Sequence, residues 1–310
     1  MEIVDAQIHN SPLRKWLGRN PNPQAAQPVV DFEAELDPGV ALRVVTEIAL
    51  SAMNAVGVDA AVIHHVQPVT LADLESSPIP AVAATKLYPD KFGGVVTPSP
   101  ELTTDIGEML SQVRTRFGLL AIRMIPAWPK DGPNLMPRVR EGGFDDWFRA
   151  AQKHDVPICL MMAGHLPEAG KIAARFPDLT LIVDHLGMYP RPPTARVDEQ
   201  ILSDLPELIA LAQFPNIAVK FTGVAALSLE PYPFADLWPR LHKVIDAFGP
   251  DRLMWGSDYT RTATLHSYSE ALNFLRYSDE VSNADKEKMF STTIRRLMGW
   301  QGRTAAPAVN

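Results

Sequence analysis

The chain has 310 residues, 46% of them hydrophobic, and a net charge of −7; that length suits one (β/α)8 barrel of about 250 residues with insertions, and the acidic balance speaks against nucleic acid as a partner. No basic segment followed by an apolar stretch opens the chain, and no apolar run is expected to reach the roughly 18 residues of a membrane span, so neither a signal peptide nor a membrane is expected. The single cysteine, Cys159, excludes an internal disulfide and fits a reducing cytoplasm.

An aliphatic run at 3–8 predicts the first strand. Residues 10–38 follow with Pro12, Pro21, Pro23, Pro28 and Pro38 among Arg14, Lys15, Trp16 and Arg19, and predict an irregular insertion. Apolar positions 44, 45, 48, 52, 53 and 56 predict a helix over 43–56, before a strand at 60–66 and a helix at 79–87. A strand at 93–97 leads to a helix over 104–117 capped by Thr104, then a strand at 119–125. A second insertion, 126–143, carries Trp128, Lys130 and Arg138. A helix at 144–154, a strand at 158–162 enclosing Cys159 as a buried structural thiol, a helix at 168–176 and a strand at 179–184 come next. The third insertion, 188–197, carries Tyr189, Arg191 and Arg196. Then follow a helix at 204–214, strands at 217–221 and 253–256, and helices at 234–248 and 267–277. An amphipathic helix over 283–300 and a tail from 301 to 310 end the chain. Eight strands, each followed by a helical stretch, predict a single-domain TIM barrel over residues 1–300, with the insertions on the catalytic face. No glycine-rich turn follows the first strand, which speaks against a dinucleotide fold.

In such a barrel the carboxyl ends of the strands converge on one site. Gln7, His9, His64 or His65, Arg123, His185, Lys220, Asp258 and Arg261 stand at those ends, with His165 just beyond one. A carboxylate among imidazoles and cations suits general-base activation of water against a carbonyl or an anionic substrate. Plainer roles compete. Asp258 could cap the next turn, and His9 and His185 could be core histidines bonded to carbonyls. Arg123 could pair with Asp5 or Asp184 instead of a substrate carboxylate, the partner favoured here. Lys220 could be a structural charge. Alternation puts only one of His64 and His65 inside, and His65 is taken. Trp128 and Tyr259 would serve as pocket walls or as packing. His154, His242 and His266 are expected on the surface.

Four segments carry a family resemblance: Asp5-Ala-Gln-Ile-His9, Phe176-Pro-Asp-Leu-Thr-Leu-Ile-Val-Asp-His-Leu-Gly187, Val219-Lys-Phe-Thr-Gly223 and Trp255-Gly-Ser-Asp-Tyr-Thr-Arg261. Together, and in this order, they resemble the amidohydrolase superfamily, in the amidohydrolase-related branch with 2-pyrone-4,6-dicarboxylate lactonase and sulfomuconolactone hydrolase. The resemblance implies a hydrolase whose Asp258 activates water against a lactone of a carboxylated or sugar acid. His185 and His9 would hold the water or the oxyanion. Gln7, Arg123, His65, Lys220, Tyr259, Arg261, Trp128 and Arg191 would contact substrate. Metal-dependent members carry a His-x-His pair where this chain has Gln7-Ile8-His9, and a strand-five histidine where it has Met161-Met162-Ala163-Gly164. A metal-free site is therefore expected. Should zinc or manganese bind, His9, His185 and Asp258 would hold it, with His165 as a further candidate. The rival readings are a metal-dependent decarboxylase of an aromatic or muconate-type acid and a catalytically silent ligand-binding barrel. A homodimer is the family-level expectation.

Overall fold

The computed structural model describes residues 1–9, 38–127, 134–188, 204–263 and 265–301. Eight strands run parallel in chain order: β1 (Val4–Ile8), β2 (Ala60–Val69), β3 (Phe92–Pro98), β4 (Ala121–Met124), β5 (Ile158–Leu160), β6 (Leu181–Val183), β7 (Ile217–Thr222) and β8 (Leu253–Gly256). The Asp258 N–H donates to the Gln7 carbonyl at 3.0 Å and brings the end of β8 back against β1. This is the TIM barrel that the alternating pattern predicts. Helices cover the outside, so both strand faces are buried and the strands read as nearly continuous apolar runs.

The crossovers are α1 (Pro38–Val56), then α2 (Leu71–Ser76) with α3 (Pro80–Leu87), α4 (Ile106–Thr115), and α5 (Met136–Arg140) with α6 (Asp145–Lys153). They continue through α7 (Leu166–Arg175), α8 (Leu205–Ala210), α9 (Trp238–Phe248), and the short α10 (Tyr259–Thr262) with α11 (Tyr268–Arg276). Several expectations change in detail. Helix α2 adds to the predicted elements, and its capping box is in the sequence: Thr70 accepts from the Asp73 N–H, and the Asp73 side chain accepts from the Thr70 N–H. Asp105, not Thr104, caps α4 through the Glu108 N–H. Residues 126–143 are not wholly irregular, since they contain α5. The terminal helix breaks into Asn283–Glu287, a π turn at Lys288–Thr292, and Thr293–Leu297. The expectation about membrane spans also needs correction. Gly39–Val56 is long and apolar enough to cross a membrane by length and composition. In this fold it is the crossover from β1 to β2, and it buries Thr46, Ala49 and Met53.

The inside of the barrel is layered. Val4 and Ala6 of β1, Ala60 and Val62 of β2, Val95 of β3, and Ala121, Cys159, Ile182, Ala218 and Met254 of the later strands form one apolar cluster. Their out-of-phase neighbours, such as Ile3, Ala61, Ile63, Ile122 and Val219, pack outward against the helices. Ile294, Met298 and Trp300 from the chain end join the inner cluster at the amino-terminal ends of the strands. Cys159 lies in this layer, and burial pushes its thiol up to about 11, so it is an inert core residue.

Candidate active site

Two residues past the apolar layer, the same inner phase turns polar. His64 follows Val62, Arg123 follows Ala121, Asp184 follows Ile182 and Lys220 follows Ala218. All four are at most 3% exposed. On β1 a register shift between Asp5 and Ile8 turns Gln7 and His9 inward while Ile8 packs outward.

Asp184 organises the ring. One carboxylate oxygen accepts from Arg123 Nε at 2.7 Å and the other lies 2.9 Å from Lys220 Nζ. Burial works against this charged carboxylate, but Arg123 and Lys220 overcome it and hold its pKa far below the ordinary range. Lys220 Nζ also donates to Gln7 Oε1 at 3.2 Å and lies 3.0 Å from His64 Nε2. Burial, with Lys220 beside it, keeps His64 neutral, so Nε2 accepts.

The ammonium of Lys220 fixes the Gln7 amide, because only the oxygen can face it. The amide nitrogen then points to His9 Nε2 at 3.3 Å and His185 Nε2 at 3.1 Å. Each imidazole has its other nitrogen against a carbonyl: His9 Nδ1 lies 2.7 Å from the His64 oxygen, and His185 Nδ1 lies 3.2 Å from the Thr222 oxygen. A carbonyl only accepts, so Nδ1 carries the proton in both rings and both Nε2 lone pairs face Gln7. Burial pushes His185 down to about 4, and it lowers His9 despite the neighbouring Asp258. Both rings are neutral at pH 7.

Asp258 completes the group. Its Oδ1 lies 3.2 Å from His9 Nε2 and, among the described residues, has no hydrogen-bond partner. Burial raises its pKa, but the surrounding charge, with Arg123 in it, outweighs that and holds it below the ordinary value. Asp258 and His185 each stand two residues past the end of their strands, and both have left-handed backbones, φ 52° and 53°. Such strain persists only where the surroundings fix it. Asp5 supplies much of that fixing at β8. It accepts from the N–H groups of Gln7 and Ser257 at 3.0 and 2.9 Å and from the Tyr268 hydroxyl at 2.9 Å. Gly256 must remain glycine, since a Cβ there would lie 2.8 Å from Thr222 Oγ1 and 3.1 Å from the Gln7 nitrogen.

Gln7, His9, Arg123, His185, Lys220 and Asp258 thus come together as the strand ends predict. Tyr259 stands beside them, stacked on Tyr268 with ring centroids 4.2 Å apart. Arg261 is exposed on α10. Trp128 and Arg191 lie outside the described residues. Other assignments are corrected. His64, not His65, faces inward, because β2 keeps the phase of Ala60 and Val62; His65 is only half-buried. The small inner residues of β2 were the signal that could have decided this. Lys220 is fully buried and engaged by Asp184, Gln7 and His64, so it belongs to the ring and not to a substrate-contacting surface. Arg123 is paired through Nε with the protein carboxylate Asp184, not with the substrate carboxylate that the sequence favours. His165 stands at the N-cap position of α7 without a side-chain cap and lies 3.4 Å from Arg140, away from the group.

The Gln7 N–H groups already point at both imidazole lone pairs, and an amide nitrogen is not a ligand. Among the described residues, no three His, Cys, Asp or Glu side chains are grouped to hold one.

The amidohydrolase family model matches residues 4–300. The chain belongs to the amidohydrolase family. Its relatives include an L-fucono-1,5-lactonase from Burkholderia ambifaria, 30% identical over 40% of this chain and 45% of that protein. A 4-sulfomuconolactone hydrolase from Hydrogenophaga intermedia is 32% identical over 28% of each chain. The chain therefore aligns with less than half the length of either relative. Among solved structures, an amidohydrolase from Burkholderia multivorans with bound zinc superposes with a TM-score of 0.70 at 20% identity, covering 97% of this chain and 100% of that one. At that identity the likeness shows the shared fold.

Proposed function

We propose that this amidohydrolase hydrolyses a lactone by general-base attack of water, without a metal. The observation that carries the reading is Asp258 Oδ1: a buried, ionised carboxylate oxygen, unpartnered among the described residues, next to a neutral imidazole that accepts. A water donating one hydrogen to Asp258 Oδ1 would turn its oxygen lone pairs toward the substrate. Asp258 takes the proton as the water oxygen bonds to the carbonyl carbon. When the ring C–O bond breaks, Asp258 returns the proton to the departing alkoxide, giving a hydroxy acid. His9 and His185 present lone pairs, so neither donates to the oxyanion. That work falls to Arg123, whose Nη2 lies 3.4 Å from His185 Nε2 and whose Nη1 makes no hydrogen bond among the described residues.

The lactone-acting names of the relatives support the reaction class. The metal-dependent decarboxylase is the weaker reading, because the Gln7 amide faces the two imidazoles that would bind the ion. The test is a panel of lactones with proton release followed in the presence of EDTA. Hydrolysis that survives chelation is expected. If no lactone is hydrolysed, the reaction class falls; a rate abolished by EDTA and restored by zinc or manganese overturns the metal-free chemistry.

A further inference from the structure

Arg123 faces two ways. On one side it meets Asp184 and His185; on the other it lines a separate pocket at the carboxyl ends of β2, β3 and β4, closed by α5 and α6. This pocket has a volume of about 170 Å³, close to the roughly 150 Å³ of an engineered protein cavity that accepts benzene. Ile125, Leu135, Phe144 and Trp147 supply apolar walls. Pro68, Pro98, Pro100 and Pro126 line it too, and proline has no backbone N–H to offer. The Thr97 hydroxyl is already committed to the His65 carbonyl at 3.0 Å. What remains on the side chains for hydrogen bonding is Ser99, the exposed Glu101, Arg123 itself and Trp147 Nε1, a buried donor without a partner among the described residues. A polyhydroxylated group needs a partner for every hydroxyl, and walls that are mostly apolar supply few. One apolar ring would fill the space and match the aliphatic and aromatic walls.

We propose that this pocket receives a single aryl ring or a short branched alkyl group of the substrate, while the polar end of the same molecule meets Arg123. Resting on the lactone reading above, this makes the preferred substrate a lactone with one apolar substituent and not a sugar lactone. Arg123 joins the two halves of the site. It places the charged or carbonyl end near Asp258 and leaves the substituent among the prolines and aromatic walls.

Three lactones decide the matter: δ-phenyl-δ-valerolactone, unsubstituted δ-valerolactone and D-glucono-1,5-lactone. The wild-type protein should show kcat/KM at least tenfold higher for the phenyl lactone than for gluconolactone. Equal or better use of gluconolactone would overturn the proposal. Leu135→Trp, which extends an indole into the pocket from the half-buried start of α5, should reduce the phenyl-over-unsubstituted preference at least tenfold; an unchanged preference in the folded variant counts against the pocket. Binding of phenylacetate by calorimetry separates the two inferences. Its carboxylate suits Arg123 and its ring suits the pocket, and no turnover is needed. Saturable binding that Leu135→Trp weakens at least tenfold sustains the pocket even if every lactone is inert, in which case the lactone reading alone fails. No phenylacetate binding to the wild-type protein removes the pocket proposal whatever the lactones do.

Discussion

Ala218 and Lys220 share the inner face of β7, Ile182 and Asp184 that of the β6 end, and Ala121 and Arg123 that of β4, yet one layer is an apolar plug and the next is a ring of charge. The two layers are held by different physics. In the lower one each side chain contributes through contact area and dispersion, which degrade gradually when a group is trimmed. In the upper one each charge is tolerable only because its neighbour is there, so removing one leaves another stranded. A barrel can therefore carry a dense polar site directly on its core, provided the polar residues satisfy one another.

The largest effect should follow from removing the shared anion. Asp184→Asn leaves Arg123 and Lys220 buried without their carboxylate and should lower stability by roughly 3–5 kcal/mol, read by urea denaturation. Loss below 1 kcal/mol would mean the upper layer is not held by that pairing. Asp258→Asn is next. Asparagine tolerates the left-handed backbone at this position, so the fold should keep its melting temperature within a few degrees while kcat falls about 10²-fold or more. Near-normal turnover would exclude Asp258 as the base.

Acid should separate the layers further. Folded His185 stays neutral down to about 4, whereas in the unfolded chain it titrates near 6.5. The stability it contributes is complete above 6.5 and is lost as pH falls towards 4, since only the unfolded state takes up the proton. Asp5 acts in the opposite sense, because burial raises its folded pKa to about 6 against 3.8. The variant His185→Asn isolates the histidine: its stability should fall less than the wild type's between pH 7 and pH 5. An identical fall in both proteins would show that His185 is not kept neutral by the fold. The smallest effect belongs to the lower layer. Ile182→Val should cost about 1 kcal/mol and leave kcat unaltered, and a tenfold loss of kcat would show that the layers are not independent.

Much of this could be read from the residues in order. Eight aliphatic runs separated by amphipathic stretches left little choice but a barrel, because strands buried on both faces need helices to cover them. The carboxyl-end rule then named His9, Arg123, His185 and Asp258. Phase within a strand was harder. His64-His65 offers two imidazoles in succession, and only the position of Ala60 and Val62 inside the barrel shows which one enters the site. Asp184 was visible merely as a prospective partner of Arg123, since nothing local marks it as the common anion of β4 and β7 residues.

Composition and periodicity thus specify the eight-fold repeat and the strand ends, because these depend on local hydrophobic pattern. The direction of the Gln7 amide, the protonated nitrogen of each imidazole, the left-handed turns at His185 and Asp258 and the choice of Asp184 as partner for Arg123 are set by the folded barrel alone. Each depends on groups brought together from distant strands: Lys220 orients Gln7 across 213 positions, and His185 meets Gln7 across 178. Those contacts exist only once the sheet has closed, which is why the ligand-like pattern of the sequence resolves into a hydrogen-bonded amide between two neutral histidines.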